Sequence, residues 1–440
     1  EAGNQSYEGK LAVGSVIVNR INSPKFGNTL QAVLYAPSQF SPVASGRFAI
    51  VLARGGADVA LVEKNEKFGK KLYITGKGRC NITNDCELDD MFANVVHGEK
   101  FLRSSLYGFT PQDTMAFFED SGLKLVVERG NRVFPFSQKS SDVIKTLQIE
   151  IANLKVKTYL GTEVKEIKKN ADGFKVVTPW ECIECDKVVV ATGGMSYPST
   201  GSTGDGYAFA RAFGLKIVEP RQALVPIIVN QNVSALQGIS LKNVNLCAID
   251  ENGKEIASEF GEMLFTNRGL SGPIALTISS YINRKQNVRL SLDLKPALDE
   301  NTLDKRILRD FDERKNQDIK NVTRALLPER LNAYVLKCAN IAESKKVNEI
   351  TKQERAKLVE TIKNLRFDVS SLAPFSEAIV TAGGVDLKGL KPTCECKDVE
   401  GLYFVGETID VDALTGGFNL QLAFATAVCA ARDILKSAQG

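Results

Sequence analysis

From Ala57 onward, apolar stretches of strand length alternate with segments of helical period, the order of an α/β chain. Ala57-Asp58-Val59-Ala60-Leu61-Val62-Glu63 predicts a buried strand that ends in an acid. It follows an apolar helical stretch, Phe48 to Arg54, closed by Gly55-Gly56. Pro111 to Asp120 predicts a helix, with proline in its first turn and Gly122 past its end. Ser140 to Leu154 predicts another, and Thr162 to Val177 a hairpin about Asp172-Gly173. Asp186 to Thr192 predicts an apolar strand that runs into glycines, and Gly204 to Phe213 a helix stopped by Gly214. Short β segments dominate from Arg221 to Pro296, broken by the helix-like Pro273 to Asn283. Ala297 to Leu365 is polar and helical. Strands return at Ala378 to Ala382 and Leu402 to Val405, and a long helix runs from Gly417 to Leu435.

This order predicts an α/β domain in two sequence pieces, 48–220 and 376–440, around an insert at 221–375 that is β-rich and then helical. Residues 1–47 read differently. They hold an apolar run, Leu11 to Val18, and a loop-like run, Ser38 to Val43, and are too short for a core of their own.

Composition narrows the function classes. The 440 residues are 43% apolar and 25% charged, ordinary for a globular protein. Lys and Arg number 56 against 52 Asp and Glu, with no dense basic run, so nothing points to nucleic acid or an anionic membrane. No apolar run approaches the ~20 residues of a membrane helix. Nine cysteines, an odd number, fit free thiols in a reducing cytoplasm better than a disulfide scaffold. A single histidine excludes a histidine-rich metal site. The chain opens on Glu1 rather than Met, without a signal segment, and reads as truncated at its start.

The candidate chemistry lies in glycine clusters at predicted strand ends. In a dinucleotide-binding βαβ unit, an acid at a strand end bonds the adenosine ribose, and a G-x-G-x-x-G loop lets backbone approach the pyrophosphate. Glu63 fits the acid. The loop is absent: the expected positions hold Phe40, Pro42 and Ser45. Other clusters are Gly76-Lys77-Gly78-Arg79-Cys80-Asn81, Ala191-Thr192-Gly193-Gly194, and Gly201 to Gly206. Gly406-Glu407-Thr408-Ile409-Asp410 follows a strand, and Gly416-Gly417-Phe418-Asn419-Leu420-Gln421 opens the last helix. Bare amides at that helix start suit the electron-rich edge of a reduced flavin. Lys70-Lys71 reads as a solvated basic turn or a phosphate attractor, and His97 as a surface histidine. Cys182-x-x-Cys185 reads as plain thiols in a polar turn before a strand, and no metal site is expected.

Several of these motifs closely resemble the BaiN-like family of FAD-dependent oxidoreductases, the aminoacetone-oxidase-type flavoproteins. They are Glu63-Lys64-Asn65 to Lys71 with Thr75 to Asn84, Ala191 to Pro198, Gly201 to Tyr207, Gly269 to Pro273, Gly383-Gly384-Val385 and Gly406 to Gln421. The resemblance implies a Rossmann-like FAD domain interrupted by the insert, with NAD(P)H as hydride donor to a small unsaturated or carbonyl acceptor. Glu63 would bind the adenosine ribose, and Gly406 to Gln421 would line the flavin. Arg79, Tyr197 and His97 are candidate proton donors. The family opens with a strand and the glycine loop, and both are expected to be missing here. Residues 1–47 instead resemble a fragment of the SleB-like spore-cortex-lytic cell wall hydrolases, in which the match to Glu1 would be the general acid. The sequence thus reads as a chimera, from a gene fusion, a recombination event or a sequence-assembly error, with FAD binding expected to be weakened. An inactive flavoprotein scaffold and a peptidoglycan hydrolase are the alternative classes. Nothing in the residues sets an oligomeric state.

Overall fold

The computed structural model describes residues 16–18, 30–35 and 41–438, with side chains from Ser45 on. Two compact units emerge: Glu1–Gln222 with Phe375–Gly440, and Ala223–Pro374.

The elements that organise the first unit follow in chain order. Strand β1 is Val16–Val18, β2 is Leu30–Tyr35, helix α1 is Ser41–Arg54 and β3 is Ala57–Glu63. Helix α2 is Lys70–Ile74, β4 is Thr83–Asn84 and β5 is Val95–His97. Strand β6 is Lys157–Leu160, β7 is Lys187–Val190 and helix α3 is Asp205–Ala212. Strand β8 is Leu402–Phe404, β9 is Asp412–Ala413 and helix α4 is Phe418–Ser437.

Six strands form the central sheet in the order β8-β7-β1-β2-β3-β6. β3 runs parallel to β6, and β7 parallel to β8, with Val188, Val189 and Val190 opposite Leu402, Tyr403 and Phe404. Helices cover such a sheet, so its strands are apolar throughout. Val188–Val190 and Leu402–Phe404 are fully buried. The carboxyl ends of β3, β7 and β8 run into the Glu63, Ala191 and Gly406 segments, where ligands of open α/β sheets bind.

The expectation of a missing first strand needs correction. Leu30–Tyr35 stands in that place, parallel to β3 and followed by α1. The fit is incomplete. β2 pairs with β3 only at Leu30 and Gln31 and with β7 only at Lys187, while β1 lies antiparallel against β7 along Val188–Val190. The linking residues 36–40 are Ala-Pro-Ser-Gln-Phe and contain no glycine. α1 begins at Ser41, ahead of the expected Phe48, because Ser-Pro is a favourable helix opening.

One residue of α1 is poorly matched to its surroundings. The Arg47 guanidinium stacks 3.8 Å from the centre of the Phe117 ring, yet its buried Nε and Nη1 have no hydrogen-bond partner among the described residues. Burial, with Arg54 and Arg432 adding repulsion, lowers its pKa to about 10.

The second unit is built on a closed six-stranded barrel. Its strands are Ile227–Val229, Ser240–Ile249, Glu255–Phe265, Gly269–Ser271, Arg289–Asp293 and Leu365–Leu372. Helices Pro273–Ile282, Glu300–Glu313, Glu329–Cys338 and Lys352–Lys363 share one apolar core with it. No helix among the described residues is long and apolar enough to cross a membrane.

Candidate functional site

The strand ends of the first unit are tied to one another by side chains. Glu63 is 1% exposed, and its Oε1 accepts the Asn65 N–H at 2.9 Å. Lys64 Nζ donates to Thr203 Oγ1 at 2.6 Å and pairs with Asp205 Oδ2 at 2.5 Å, while Asn65 Nδ2 donates to the Thr200 carbonyl at 2.8 Å. The end of β3 is thereby fastened to the loop that opens α3. At the end of β7, Gly193 N–H donates to Thr408 Oγ1 at 2.9 Å, and the Met195 and Ser196 amides donate to Thr381 Oγ1 at 2.8 and 3.1 Å. Gly206 of α3 lies so close to this turn that a Cβ there would sit 2.1 Å from Thr192 Oγ1. At the end of β8, Gly406 N–H donates to Thr426 Oγ1 of α4 at 3.1 Å.

Beneath these turns lies a buried ionic cluster. Lys71, fully buried on α2, donates to Ser196 Oγ at 2.7 Å and stands 3.6 Å from Glu407 Oε2. Glu407 Oε1 accepts from Ser196 Oγ at 3.1 Å and from the Thr381 N–H at 2.7 Å. Burial lowers the Lys71 pKa to about 8 against the pull of Glu407. Lys71 is therefore neither a solvated turn residue nor an exposed phosphate attractor. Lys70 pairs at the surface with Glu66.

Several buried polar atoms on these segments lack a hydrogen-bond partner among the described residues: Asn81 Oδ1, Thr192 Oγ1, Ser202 Oγ, Tyr207 OH and Glu407 Oε2. Burial without a partner costs about 1–3 kcal/mol per group. A ligand rich in hydroxyl, amide and phosphate groups answers that demand, so these residues fit a flavin dinucleotide. Residues 36–40 contain no glycine of the kind that admits a pyrophosphate.

Other candidates are committed elsewhere. Arg79 donates to Gln138 Oε1 at 2.5 Å, pairs with Glu128 and stacks over Phe134. Gly76 and Gly78 adopt positive φ, as do Lys77 and Cys80. The buried Cys80 thiol is pushed up to about 12, which removes thiolate chemistry near neutral pH. Gln421 Oε1 accepts from Thr83 and Thr114 at 2.8 and 2.7 Å, and its Nε2 donates to the Phe109 carbonyl. Asn419 brackets Ala413 and Leu414 through their backbone groups. The Gly416 carbonyl accepts from Asn84, and Gly417 packs on β4. Phe418 and Ala191 are buried, and the Asp410 N–H donates to Val385. These groups shape the turn before α4 through packing, and their polar side chains are largely consumed by it.

Of the candidate proton donors, Tyr197 is half-buried with φ 51°, and burial raises its phenol pKa. His97 Nδ1 lies 2.6 Å from Asp412 Oδ1, a pairing made by β5 against β9. Glu1 lies outside the described residues. Cys182 and Cys185 belong to a strand, Cys182–Cys185, rather than to a turn before one, and the Cys185 thiol donates to the Phe174 carbonyl at 2.9 Å. Among the described residues, no three His, Cys, Asp or Glu side chains are grouped to hold a metal ion.

Sequence reasoning missed the burial of Lys71 and the place of Thr381 in this region. A lysine inside the short Lys-Lys-Leu-Tyr-Ile helix gives no local sign of burial, because its partners come from far along the chain.

Comparison with known proteins agrees with this geometry. The family model described as the HI0933-like protein Rossmann domain matches residues 44–433. The 3-dehydro-bile acid delta(4,6)-reductase of Clostridium scindens is 31% identical over 394 residues, covering 87% of this chain and 95% of the relative. The ribosomal RNA dihydrouridine synthase of Escherichia coli is 30% identical over 398 residues, covering 89% and 96%. A short match of 47 residues, 45% identical, links the chain to the spore cortex-lytic enzyme of Bacillus subtilis, covering 11% of this chain and 15% of that enzyme.

Proposed function

The chain belongs to the HI0933-like Rossmann-domain family of FAD-dependent oxidoreductases, and from that premise we propose that it carries hydride from NAD(P)H, by way of FAD, to a small acceptor with a carbonyl or a conjugated double bond. The observation that carries the reading is the convergence of Glu63, the Ala191–Gly194 turn and Gly406–Glu407 at the ends of parallel strands, with partnerless buried polar atoms among them. A steroid-like enone is the acceptor class to try first, since the bacterial relative named a bile acid reductase is similar over most of the chain.

In this reading the Glu63 carboxylate, which accepts the Asn65 N–H, would take the adenosine ribose hydroxyls. Lys64, tied to Asp205, holds the α3 loop against that edge. The first-turn amides of α4 offer positive partial charge to a reduced flavin. FAD, when bound, supplies the two-electron relay between donor and acceptor. Tyr197 and His97 are the side chains to test as proton donors, and Asp412 holds His97 in one orientation. Arg79 is a weaker choice, because its guanidinium is engaged by Glu128 and Gln138.

Occupancy is the weak point. A glycine loop gives about two or three amide bonds to a pyrophosphate, each about 1.5–3 kcal/mol when the partner is charged. Their loss costs on the order of 4–6 kcal/mol, or about three to four decades of affinity. The alternative class, an inactive scaffold, rests on the same loop. Flavin absorbance of the purified chain, followed by NAD(P)H oxidation with added FAD and an enone acceptor, tests the reading. Recovery of turnover at micromolar FAD supports it. One tightly held FAD per monomer refutes the impairment, and no turnover at saturating FAD refutes the activity.

A further inference from the structure

We propose that Lys71 is a positioning residue of the cofactor site: sealed between Ser196 and Glu407, its ammonium holds the Glu407 carboxylate in one orientation, and so sets the affinity for FAD. The proposal rests on the flavin reading above and goes beyond it to a residue outside the glycine turns.

Three segments distant in the chain meet at this lysine. α2 brings Lys71, the turn after β7 brings Ser196, and the turn after β8 brings Glu407. Lys71 is fully buried, and Ser196 and Glu407 are 0% and 4% exposed. Glu407 is held from two sides on Oε1, by Ser196 Oγ and the Thr381 N–H, while Oε2 faces Lys71 at 3.6 Å without a hydrogen bond. The Lys71 ammonium is the charged neighbour of Oε2, and a carboxylate oxygen without a hydrogen-bond donor is a ready acceptor for a ligand hydroxyl or amide. Removing one partner of a buried pair leaves the other uncompensated, the costly case for buried ions.

The charged surroundings are simple. Among the described residues, Glu407 is the charged group that acts on Lys71. α2 also packs on the Ser140–Asn153 helix and the Thr75–Gly78 turn, and Asp142, Lys145, Glu150 and Lys77 on those elements do not contribute. The Tyr207 phenol is pushed above its ordinary range by burial and by the charges of Glu407 and Asp410. Between pH 6.5 and 9 Lys71 changes charge, protonated below about 8 and neutral above it.

The test is the FAD dissociation constant from fluorescence quenching over that pH window, for the unaltered chain and for Lys71→Met, with thermal unfolding of each in the absence of FAD. The unaltered chain should lose affinity about tenfold as pH rises through 8, where Glu407 loses its partner. Lys71→Met should bind about tenfold more weakly at pH 7 and show no such step. A pH-independent affinity in the unaltered chain overturns the proposal, and this arm needs no variant to fold. A Lys71→Met protein that unfolds at lower temperature but binds FAD as before also overturns it, leaving Lys71 a structural strut. Absence of FAD binding at every pH, even with a restored glycine loop, removes the flavin reading and this proposal together.

Discussion

Two strand–helix junctions, one near each end of the chain, face the same sheet and differ in chemistry. At the carboxyl end, β8 matches β7 across three consecutive residues and all its side chains are buried. The chain then turns through Gly416-Gly417 into α4. Gly417 has φ 100°, and a Cβ there would lie 2.3 Å from the Thr83 carbonyl oxygen, so glycine is required both by conformation and by contact. At the amino end, β2 holds the corresponding place through two register positions with β3, one with β7 and one with β1, and β1 runs along β7. Its connection to α1 has no glycine. A strand and a helix of roughly the right length thus complete the sheet although residues 36–40 between them contain no glycine. Topology asks only for apolar extended residues and a helix start, whereas phosphate binding asks for backbone that comes close without side chains.

The comparison can be broken most directly by exchanging chemistry between the junctions. Replacing residues 1–43 with a strand and a G-x-G-x-x-G loop should tighten FAD binding by about three to four decades, on the order of 4–6 kcal/mol. Equilibrium titration with FAD reads the change. An unchanged dissociation constant would mean that the present amino-terminal segment already contacts the pyrophosphate. In the other direction, Gly417→Val should destabilise the chain by about 2–4 kcal/mol, through a disfavoured backbone and a clash with β4. Urea unfolding measures it, and a loss below about 0.5 kcal/mol would show that the turn relaxes freely.

A smaller effect is expected within α1. Arg47→Leu keeps apolar contact with the Phe117 and Phe109 rings but removes the stacked, buried guanidinium, two of whose donors lack a partner among the described residues. The variant should be more stable by about 1 kcal/mol, since an unpaired buried cation costs more than its ring contacts return. A less stable variant would mean that the aromatic stacking outweighs burial. The last expectation concerns dynamics. Backbone amides of Leu402–Phe404 should exchange with solvent about tenfold or more slowly than those of Leu30–Tyr35, because the former are paired in full register and the latter at isolated positions. Equal protection would show the amino-terminal strand to be as firmly seated as its counterpart.

Local pattern carried most of the architecture. Ala57–Glu63 and Pro111–Asp120 have the bounds that periodicity and capping predict, and the last helix begins within one residue of its predicted start. Such signals are local: alternation, a first-turn proline and a terminal glycine act within a few residues. The positions of the glycine turns were legible for the same reason, as was Glu63 at a strand end. What each polar side chain does there was not. Gln421 and Asn419 read as flavin-lining groups, yet their amides are spent on Phe109, Thr83, Thr114 and the 413–414 backbone. Arg79 read as a cofactor contact and is held by Glu128, while Lys71 read as solvated and is sealed under Ser196 and Glu407. The stand-in strand Leu30–Tyr35 likewise took its meaning from β3 and β7 rather than from its own residues. Each of these outcomes depends on partners far away in sequence, and burial and pairing exist only once those partners have been brought together.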